Sequence, residues 1–240
     1  MLLSRPNSKI KLDRLLAIMA LVLSVVMLIA SSDPLIPSLN ETAFASVLDL
    51  FGTRKQIVFD LSVGALSAIG MFYLLVRLPE KERKDRVKLH LLSSYKSFKR
   101  SNIEIFLTAL KTSFDSELIE TLMEQKDFRE YFKESHVPGQ KRWDGVANQM
   151  DDFMLRQIVL EAEVFYGEFQ YALSIIDISD DVVFSFMKRF STALYRAKNW
   201  SSDYDGTKQV LRFFWEVFAG WSPAEGYSEH ELLPHMISKL

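Results

Sequence analysis

Two long apolar segments occupy the N-terminal third of the chain, and amphipathic helical patterns follow them to the C-terminus. The apolar runs are Leu15–Ala30, which contains no charged residue, and Ile57–Val76, whose only charge is Asp60. A helix needs about 20 apolar residues to cross a hydrocarbon core of about 30 Å. Ile57–Val76 has 20 residues, and a short extension brings Leu15–Ala30, which has 16, to that length. We therefore predict a transmembrane helical hairpin in residues 1–78, with helices over about 12–33 and 57–77.

The first run also fits a different interpretation, a cleaved signal peptide. Basic residues precede it, and the small residues Ala30, Ser31 and Ser32 stand at its end, as they do in secretory signals. The second apolar run follows soon afterwards, which makes a hairpin the simpler interpretation. Under either interpretation the second run anchors the rest of the chain.

Lysine and arginine are unevenly distributed around the two runs. Four precede the first run, Arg54 and Lys55 lie between the runs, and six lie in residues 77–88. Because positive residues stay on the cytoplasmic side, we predict a two-pass membrane protein with both termini in the cytoplasm. The connector contains an amphipathic stretch, Glu41–Phe51, which either lies on the outer membrane surface or covers the tip of the hairpin.

One side of the second run carries a stripe of polar and small residues. Asp60, Gly64 and Ala68 recur at helical spacing, and Ser67 lies on the same side. Small residues spaced four apart let another helix approach closely, so we predict that these four residues pack membrane helices together. The neighbouring helix belongs either to the same hairpin or to another subunit of a homo-oligomer. A single intramembrane carboxylate is too little for a proton relay, which argues against a transporter.

A basic segment follows the hairpin, and an acidic region follows the basic segment. Residues 77–100 hold nine Lys and Arg against three acidic residues, a charge of +6, whereas residues 101–240 hold 14 against 23, a charge of -9. We predict a basic juxtamembrane helix over 79–100 that contacts anionic lipid headgroups or, alternatively, nucleic acid. The side chains assigned to this electrostatic contact are Arg77, Lys81, Arg83, Lys84, Arg86 and Lys88.

Residues 101–240 are predicted to form a cytoplasmic helical domain, so that the fold class is all-α. Their apolar positions follow the helical period, and no run alternates as a half-buried strand does. Helices are predicted to start at a capping box, Ser101–Glu104, near Asp115, at Ser179–Asp181 and at about Asp205. One long helix is predicted over Gly145–Asp177. Loops are predicted at His136–Gln140 and, together with a short helix, from Gly220.

The polar residues offer little catalytic or metal chemistry. The chain has no cysteine, which excludes disulfides, thiolate metal sites and cysteine nucleophiles. His230 and His235 are five residues apart with Pro234 between them, unlike a helical zinc pair. Phosphate-binding and nucleophile-elbow motifs are missing from the sequence. We therefore predict no enzyme activity, no cofactor and no metal; an enzyme with an unrecognised motif is the alternative.

This layout resembles the small two-transmembrane effectors of bacterial anti-phage systems, including those that accompany retrons. The resemblance covers the hairpin, the short external connector and a helical cytoplasmic domain without enzyme motifs. It implies a toxin-like effector of antiviral defence that disrupts the inner membrane when released. A cytoplasmic inhibitory or sensing protein, or a ribonucleoprotein, would hold it inactive. The alternative function is a passive membrane anchor or scaffold that recruits a cytoplasmic partner.

Overall fold

A computed structural model of the protein describes residues 8–30, 55–200, 203–224 and 226–240. Within these residues the chain is mostly helical, which confirms the predicted predominance of helix. The chain divides into two compact units, Met1–Arg83 and Lys84–Leu240. The predicted amphipathic stretch Glu41–Phe51 lies outside the described residues.

The described residues form helices and two short β-hairpins. The helices are α1 (Ser8–Ala30), α2 (Lys55–Phe72), a π-helical segment (Tyr73–Arg77), α3 (Leu78–Ala109), α4 (Ser116–Leu122), α5 (Gln125–Lys133), α6 (Arg142–Gln149), α7 (Asp152–Ile175), α8 (Asp181–Arg196), a 3-10 turn (Ala197–Asn199), α9 (Tyr204–Phe218) and α10 (Leu232–Ser238). The strands are β1 (Ser135–Val137), β2 (Gln140–Lys141), β3 (Trp221–Ser222) and β4 (Gly226–Tyr227), and they form two antiparallel hairpins, β1–β2 and β3–β4.

The first unit contains two antiparallel helices. Helices α1 and α2 pack against each other. Arg77, at the end of the π-helical segment, donates a 2.9 Å hydrogen bond from Nε to Asp13 Oδ1 near the start of α1, so the two helices run in opposite directions. Their contact includes Ser62, which is 3% exposed. Its hydroxyl donates a 2.8 Å bond to the Val58 carbonyl, which satisfies a polar group inside an apolar contact.

The second unit is built on an aromatic core around the later part of α3. Phe98 stacks on Phe165 of α7 with ring centroids 4.8 Å apart, and its ring lies 5.8 Å from that of Phe214 in α9. Two turns further on, the Phe106 ring meets Trp143 of α6 edge to face at 5.2 Å. Such pairs contribute about 0.5–1.5 kcal/mol each beyond the apolar area they bury. Helix α3 is therefore the central element against which α6, α7 and α9 pack.

The predicted helix start at Ser101–Glu104 is wrong, because α3 passes through it without a break. Asn102 and Ile103 are fully buried there, and the Asn102 Nδ2 donates a 2.7 Å bond to the Phe98 carbonyl. A capping box is useful only where a helix end leaves backbone N–H groups without partners. Here the apolar face of α3 continues on both sides of the motif, and its burial favours one long helix.

The predicted single helix over Gly145–Asp177 is also wrong, because the helical backbone is interrupted between α6 and α7. Asp151 has an extended backbone, and its carboxylate accepts a 2.8 Å bond from the Met154 backbone N–H, which makes it the N-cap of α7. The apolar pattern continues across the break, so periodicity alone does not reveal it. A short polar residue before an apolar run is the signal that does.

Aspartate caps also mark the starts that sequence reasoning predicted correctly. Asp115 accepts from the Leu118 N–H at the start of α4, and Asp180 accepts from two backbone N–H groups at the start of α8. The predicted loop at His136–Gln140 contains the turn of the β1–β2 hairpin. Gly139 has a φ of +83° there, a conformation that favours glycine.

Candidate functional site

The paired helices α1 and α2 present an apolar surface to their surroundings. Leu21 of α1 is 67% exposed and Leu61 of α2 is 68% exposed. Contiguous exposed apolar surfaces of this kind mark contacts with membranes or proteins. Among the described residues, one helical stretch, Gln56–Ala109, is long and apolar enough to cross a membrane, and 6% of its most apolar window is buried. This part of the chain is therefore suited to contact with lipid.

The predicted packing residues Asp60, Gly64, Ser67 and Ala68 all lie on the exposed side of α2. The side that contacts α1 lies roughly opposite and includes the buried Ser62. No atom of the described residues lies within 4 Å of a Cβ built on Gly64. The stripe therefore does not mediate the contact between α1 and α2. It remains exposed to a helix from outside this pair.

The six basic residues predicted to contact lipid or nucleic acid differ in their surroundings. Arg77 forms ion pairs with Asp13 and Glu80, and Lys88 Nζ donates a 3.4 Å bond to the Ser238 carbonyl. Lys81, Arg83 and Arg86 are exposed, and Lys84 is half-buried. The exposed three are therefore the strongest candidates for an electrostatic contact with a surface outside the protein.

A buried lysine joins α3 to the C-terminal segment. Lys99 is 1% exposed. Its Nζ donates a 2.6 Å hydrogen bond to the Met123 carbonyl between α4 and α5, and a second bond to Glu231 Oε1 just before α10. The Phe218 ring centroid lies 5.7 Å from Nζ. Burial lowers the pKa of Lys99, and the negative charges of Glu231 and Glu124 only partly oppose this effect.

The C-terminal segment is turned so that Glu231 reaches Lys99. Gly220, just after α9, has a φ of +64°, and its carbonyl accepts a 2.8 Å bond from the Ser228 N–H across the β3–β4 hairpin. A Cβ on Gly220 would overlap the carboxamide of Gln125. Both the backbone conformation and the close approach therefore require glycine at this turn.

The predicted basic helix over 79–100 included Lys99 among its charges but did not identify it as buried. Helical spacing contains the signal. Leu91, Tyr95 and Asn102 lie on the buried face of α3, and Lys99 falls between them at the same three-to-four-residue interval. A lysine in register with core positions is expected to be buried with a partner. The identity of that partner, more than 100 positions away in the sequence, has no local signal.

Tyr95 lies beside this ion pair with an unsatisfied hydroxyl. It is 1% exposed, and its Oη has no hydrogen-bond partner in the described part of the chain. Its ring centroid lies 6.0 Å from that of Phe165 and 6.4 Å from that of Phe218. Burial raises the pKa of Tyr95 well above its ordinary value, and the charge of Glu231 acts in the same direction. The phenol is therefore held in its neutral form.

Replacing Tyr95 with phenylalanine is expected to raise the free energy of unfolding of the second unit by about 1 kcal/mol. The change keeps the ring and removes a hydroxyl whose burial without a partner costs about 1–3 kcal/mol. Tryptophan fluorescence during urea unfolding measures the effect, because all four tryptophans lie in Lys84–Leu240. A loss of stability would show that the hydroxyl is satisfied and would contradict the expectation.

Alkaline titration gives this substitution a second readout. The unfolded chain loses the Tyr95 proton above pH 10.0 while the folded protein keeps it, so this residue makes stability fall as the pH rises past that value. Lys99 acts in the opposite sense between its lowered folded pKa and 10.5, because the unfolded state binds more protons there. In the Tyr95→Phe variant, the fall in stability that Tyr95 causes above pH 10 should disappear. The rise in stability with pH that Lys99 causes below pH 10 should remain.

Two surface cavities of the second unit have linings that do not include Lys99 or Glu231. The larger, of about 620 Å³, lies between the end of α7 and α8 and is lined in part by Gln170 and Lys188. The smaller, of about 300 Å³, is lined in part by Phe190 and Leu233. Among the described residues, no histidine lines either cavity, and no group of three His, Cys, Asp or Glu side chains is placed to hold a metal ion. The exposed helix pair is therefore the leading candidate site.

Comparison of the chain with protein-family models, with curated proteins and with solved structures finds no match. The function therefore has to be argued from the features of the molecule itself.

Proposed function

We propose that the chain is a membrane-embedded effector of a bacterial anti-phage system, which disrupts the inner membrane when a cytoplasmic partner releases it. The observation that carries the proposal is the exposed side of α2. A passive anchor needs only lipid-facing apolar residues. Instead, α2 presents Gly64 and Ala68 together with the carboxylate of Asp60 on the side away from α1. Small residues favour close contact with further helices, and a carboxylate in a membrane favours other helices or water as neighbours.

The proposed topology has two membrane passes with both termini in the cytoplasm. The exposed Lys81, Arg83 and Arg86 follow the apolar part of the helical stretch directly. Positive residues at this place keep that end of the helix on the cytoplasmic side and attract anionic headgroups. The acidic remainder of the chain, with a charge of -9 over residues 101–240, is repelled by the same headgroups and would be available to a partner.

The proposed partner is a cytoplasmic inhibitory or sensing protein, or a ribonucleoprotein. The membrane part would act by assembling with other copies through the stripe on α2. Neither enzyme activity nor a cofactor is required for this mechanism, because the damage comes from the assembled helices. The alternative function is a scaffold, in which the helix pair only localises the second unit and the second unit recruits a partner.

Expression of the full chain in bacteria, without neighbouring genes, is expected to stop growth and to collapse the membrane potential. A potential-sensitive dye follows the collapse while membrane fractions report the level of the protein. The control replaces Met1–Arg83 by an unrelated two-pass hairpin at equal expression, and this chimera should be harmless. Normal growth and full potential at a high membrane level of the native chain would argue against an effector. Biological function that survives in the chimera would instead favour the scaffold.

A further inference from the structure

Helix α7 has two apolar faces, and only one of them packs within the second unit. The buried face consists of Leu155, Ile158, Ala162, Phe165, Phe169 and Ala172. On another side Phe153, Leu160, Val164 and Tyr171 are 69%, 52%, 58% and 54% exposed. The half-buried Gln157 and the exposed Gly167 lie between them, so that these positions follow one another in alternating steps of four and three residues. This is the 3.5-residue period of helices that pair as coiled coils. We call these six positions, five of them exposed and Gln157 half-buried, the α7 seam.

Gly167 provides a second, independent reason to expect a neighbour on the α7 seam. It lies in the middle of α7, and no atom of the described residues lies within 4 Å of a Cβ built on it. Glycine in a helix interior costs about 1 kcal/mol relative to alanine, and nothing in the described part of the second unit requires it here. Glycine does allow the backbone of another helix to approach closely. Its position within the seam therefore points to helix pairing.

We propose that the α7 seam is the contact between two copies of this chain, paired in parallel and in register. In the coiled-coil heptad, Gln157 and Val164 occupy a positions and Leu160 occupies a d position. Valine at a with leucine at d favours two parallel strands, and a polar residue at a fixes register and the number of strands. The contact itself concerns the second unit alone, and only its strengthening and its test in membranes rest on the proposed location of the chain.

Charges beside the α7 seam favour a second copy in the parallel arrangement. Arg156 at a g position would face Glu161 at an e position of the second copy, and this pair would occur twice. Glu163 would face Glu168, but Glu168 is already bonded to His90 of its own chain at 2.7 Å. An antiparallel pair that aligns the whole seam, with Phe153 opposite Tyr171, would oppose Glu161 to Glu161 and Glu163 to Glu163, without any pair of opposite charges. Parallel pairing is therefore the electrostatically preferred form.

The α7 seam is long enough for specific pairing but short enough for the pairing to be reversible. From Phe153 to Tyr171 it extends about 27 Å at 1.5 Å per residue. Copies held on the same surface have a high effective concentration, which strengthens a weak contact without any new interaction. The full chain in the membranes of expressing cells is therefore the right material for a test.

Cysteine cross-linking of the full chain tests the pairing directly. The native sequence has no cysteine, so each variant carries a single thiol. Leu160→Cys is expected to give a disulfide-linked dimer on mild oxidation. Val182→Cys is the matched control, since Val182 is 68% exposed on α8 and lies outside the seam. We expect at least tenfold more dimer for the seam variant. Equal yields would show random collision and would overturn the proposal.

Two further variants separate the possible arrangements. Adding Val164→Glu to Leu160→Cys places like charges in the contact and should lower cross-linking at least fivefold. Because Val164 is exposed, the free energy of unfolding measured in urea should stay unchanged. Co-expression of Leu160→Cys and Val164→Cys chains tests whether the two helices run parallel or antiparallel. A higher yield of the mixed dimer than of the Leu160→Cys homodimer would overturn the parallel arrangement. Absence of any dimer, with the thiol still accessible to maleimide, would overturn self-pairing and leave the seam to a helix of another protein.

Discussion

Replacing Glu231 with methionine is expected to lower the free energy of unfolding of the second unit by about 3–5 kcal/mol, the usual cost of breaking a buried ion pair. Lys99 is 1% exposed and would keep a hydrogen bond to the Met123 carbonyl but lose the carboxylate that it contacts. Since burial already lowers the pKa of Lys99, the lysine can release its proton, and this release sets an upper limit to the loss. The loss should therefore shrink as the pH rises towards the lowered pKa that Lys99 has in the native protein.

A double variant tests whether the cost comes from the unpaired charge. Adding Lys99→Met to Glu231→Met removes both charges, and such replacements by apolar residues of similar volume are often neutral. We expect recovery to within about 1–2 kcal/mol of the native protein, because the Met123 carbonyl then lacks a donor. Urea unfolding followed by tryptophan fluorescence measures all variants.

An exposed ion pair supplies the matched control. Lys126 and Glu130 lie 3.8 Å apart on α5 with side chains 75% and 61% exposed, so Glu130→Met should cost no more than about 0.5 kcal/mol. If Glu231→Met costs as little as Glu130→Met, the buried pair does not hold the C-terminal segment to α3. If the double variant remains as unstable as the single one, shape and not charge determines the loss.

Local signals predicted helix starts well and predicted helix continuity poorly. Asp115 and Asp180 cap helices through their own side chains, within three residues of the N–H groups they satisfy, so sequence alone suffices to find them. The capping box at Ser101–Glu104 has the same local form, yet α3 continues through it. Whether such a motif ends a helix depends on which residues pack against it from α7 and α9. That information is tertiary and has no counterpart in the local pattern.

The candidate site shows the same limit. Helical spacing placed Asp60, Gly64 and Ala68 on one side of α2, but spacing does not say which neighbour that side faces. Small polar residues occur on both sides of α2, and Ser62 is the one buried against α1. Likewise, the charge count over residues 77–100 included Lys99 with exposed lysines. Helical spacing places Lys99 in register with core positions, but its partner Glu231 lies 132 residues away and cannot be read from composition.

Replacing Gly64 with leucine is expected to abolish growth arrest and depolarisation while leaving membrane insertion intact. Gly64 lies on the exposed side of α2 with no atom within 4 Å of a built Cβ, so the larger side chain does not disturb the contact with α1. Leucine also favours insertion of an apolar helix by a few tenths of a kcal/mol. What leucine prevents is the close approach of another helix at a small-residue stripe.

Gly70→Leu is the matched control for this substitution. Gly70 lies on the same helix, is also exposed and also has no atom within 4 Å of a built Cβ, but it is turned about 120° around the helix axis from Gly64. We expect Gly70→Leu to remain toxic. Growth, dye fluorescence and the amount of each variant in the membrane fraction give the comparison.

Toxicity of Gly64→Leu at a normal membrane level would contradict assembly through the stripe. Loss of toxicity in both variants would assign the effect to added apolar bulk. Because the two changes add the same side chain to the same helix, a difference between them reports on the side of α2 alone. Such a difference would therefore locate the contact with a helix outside the pair.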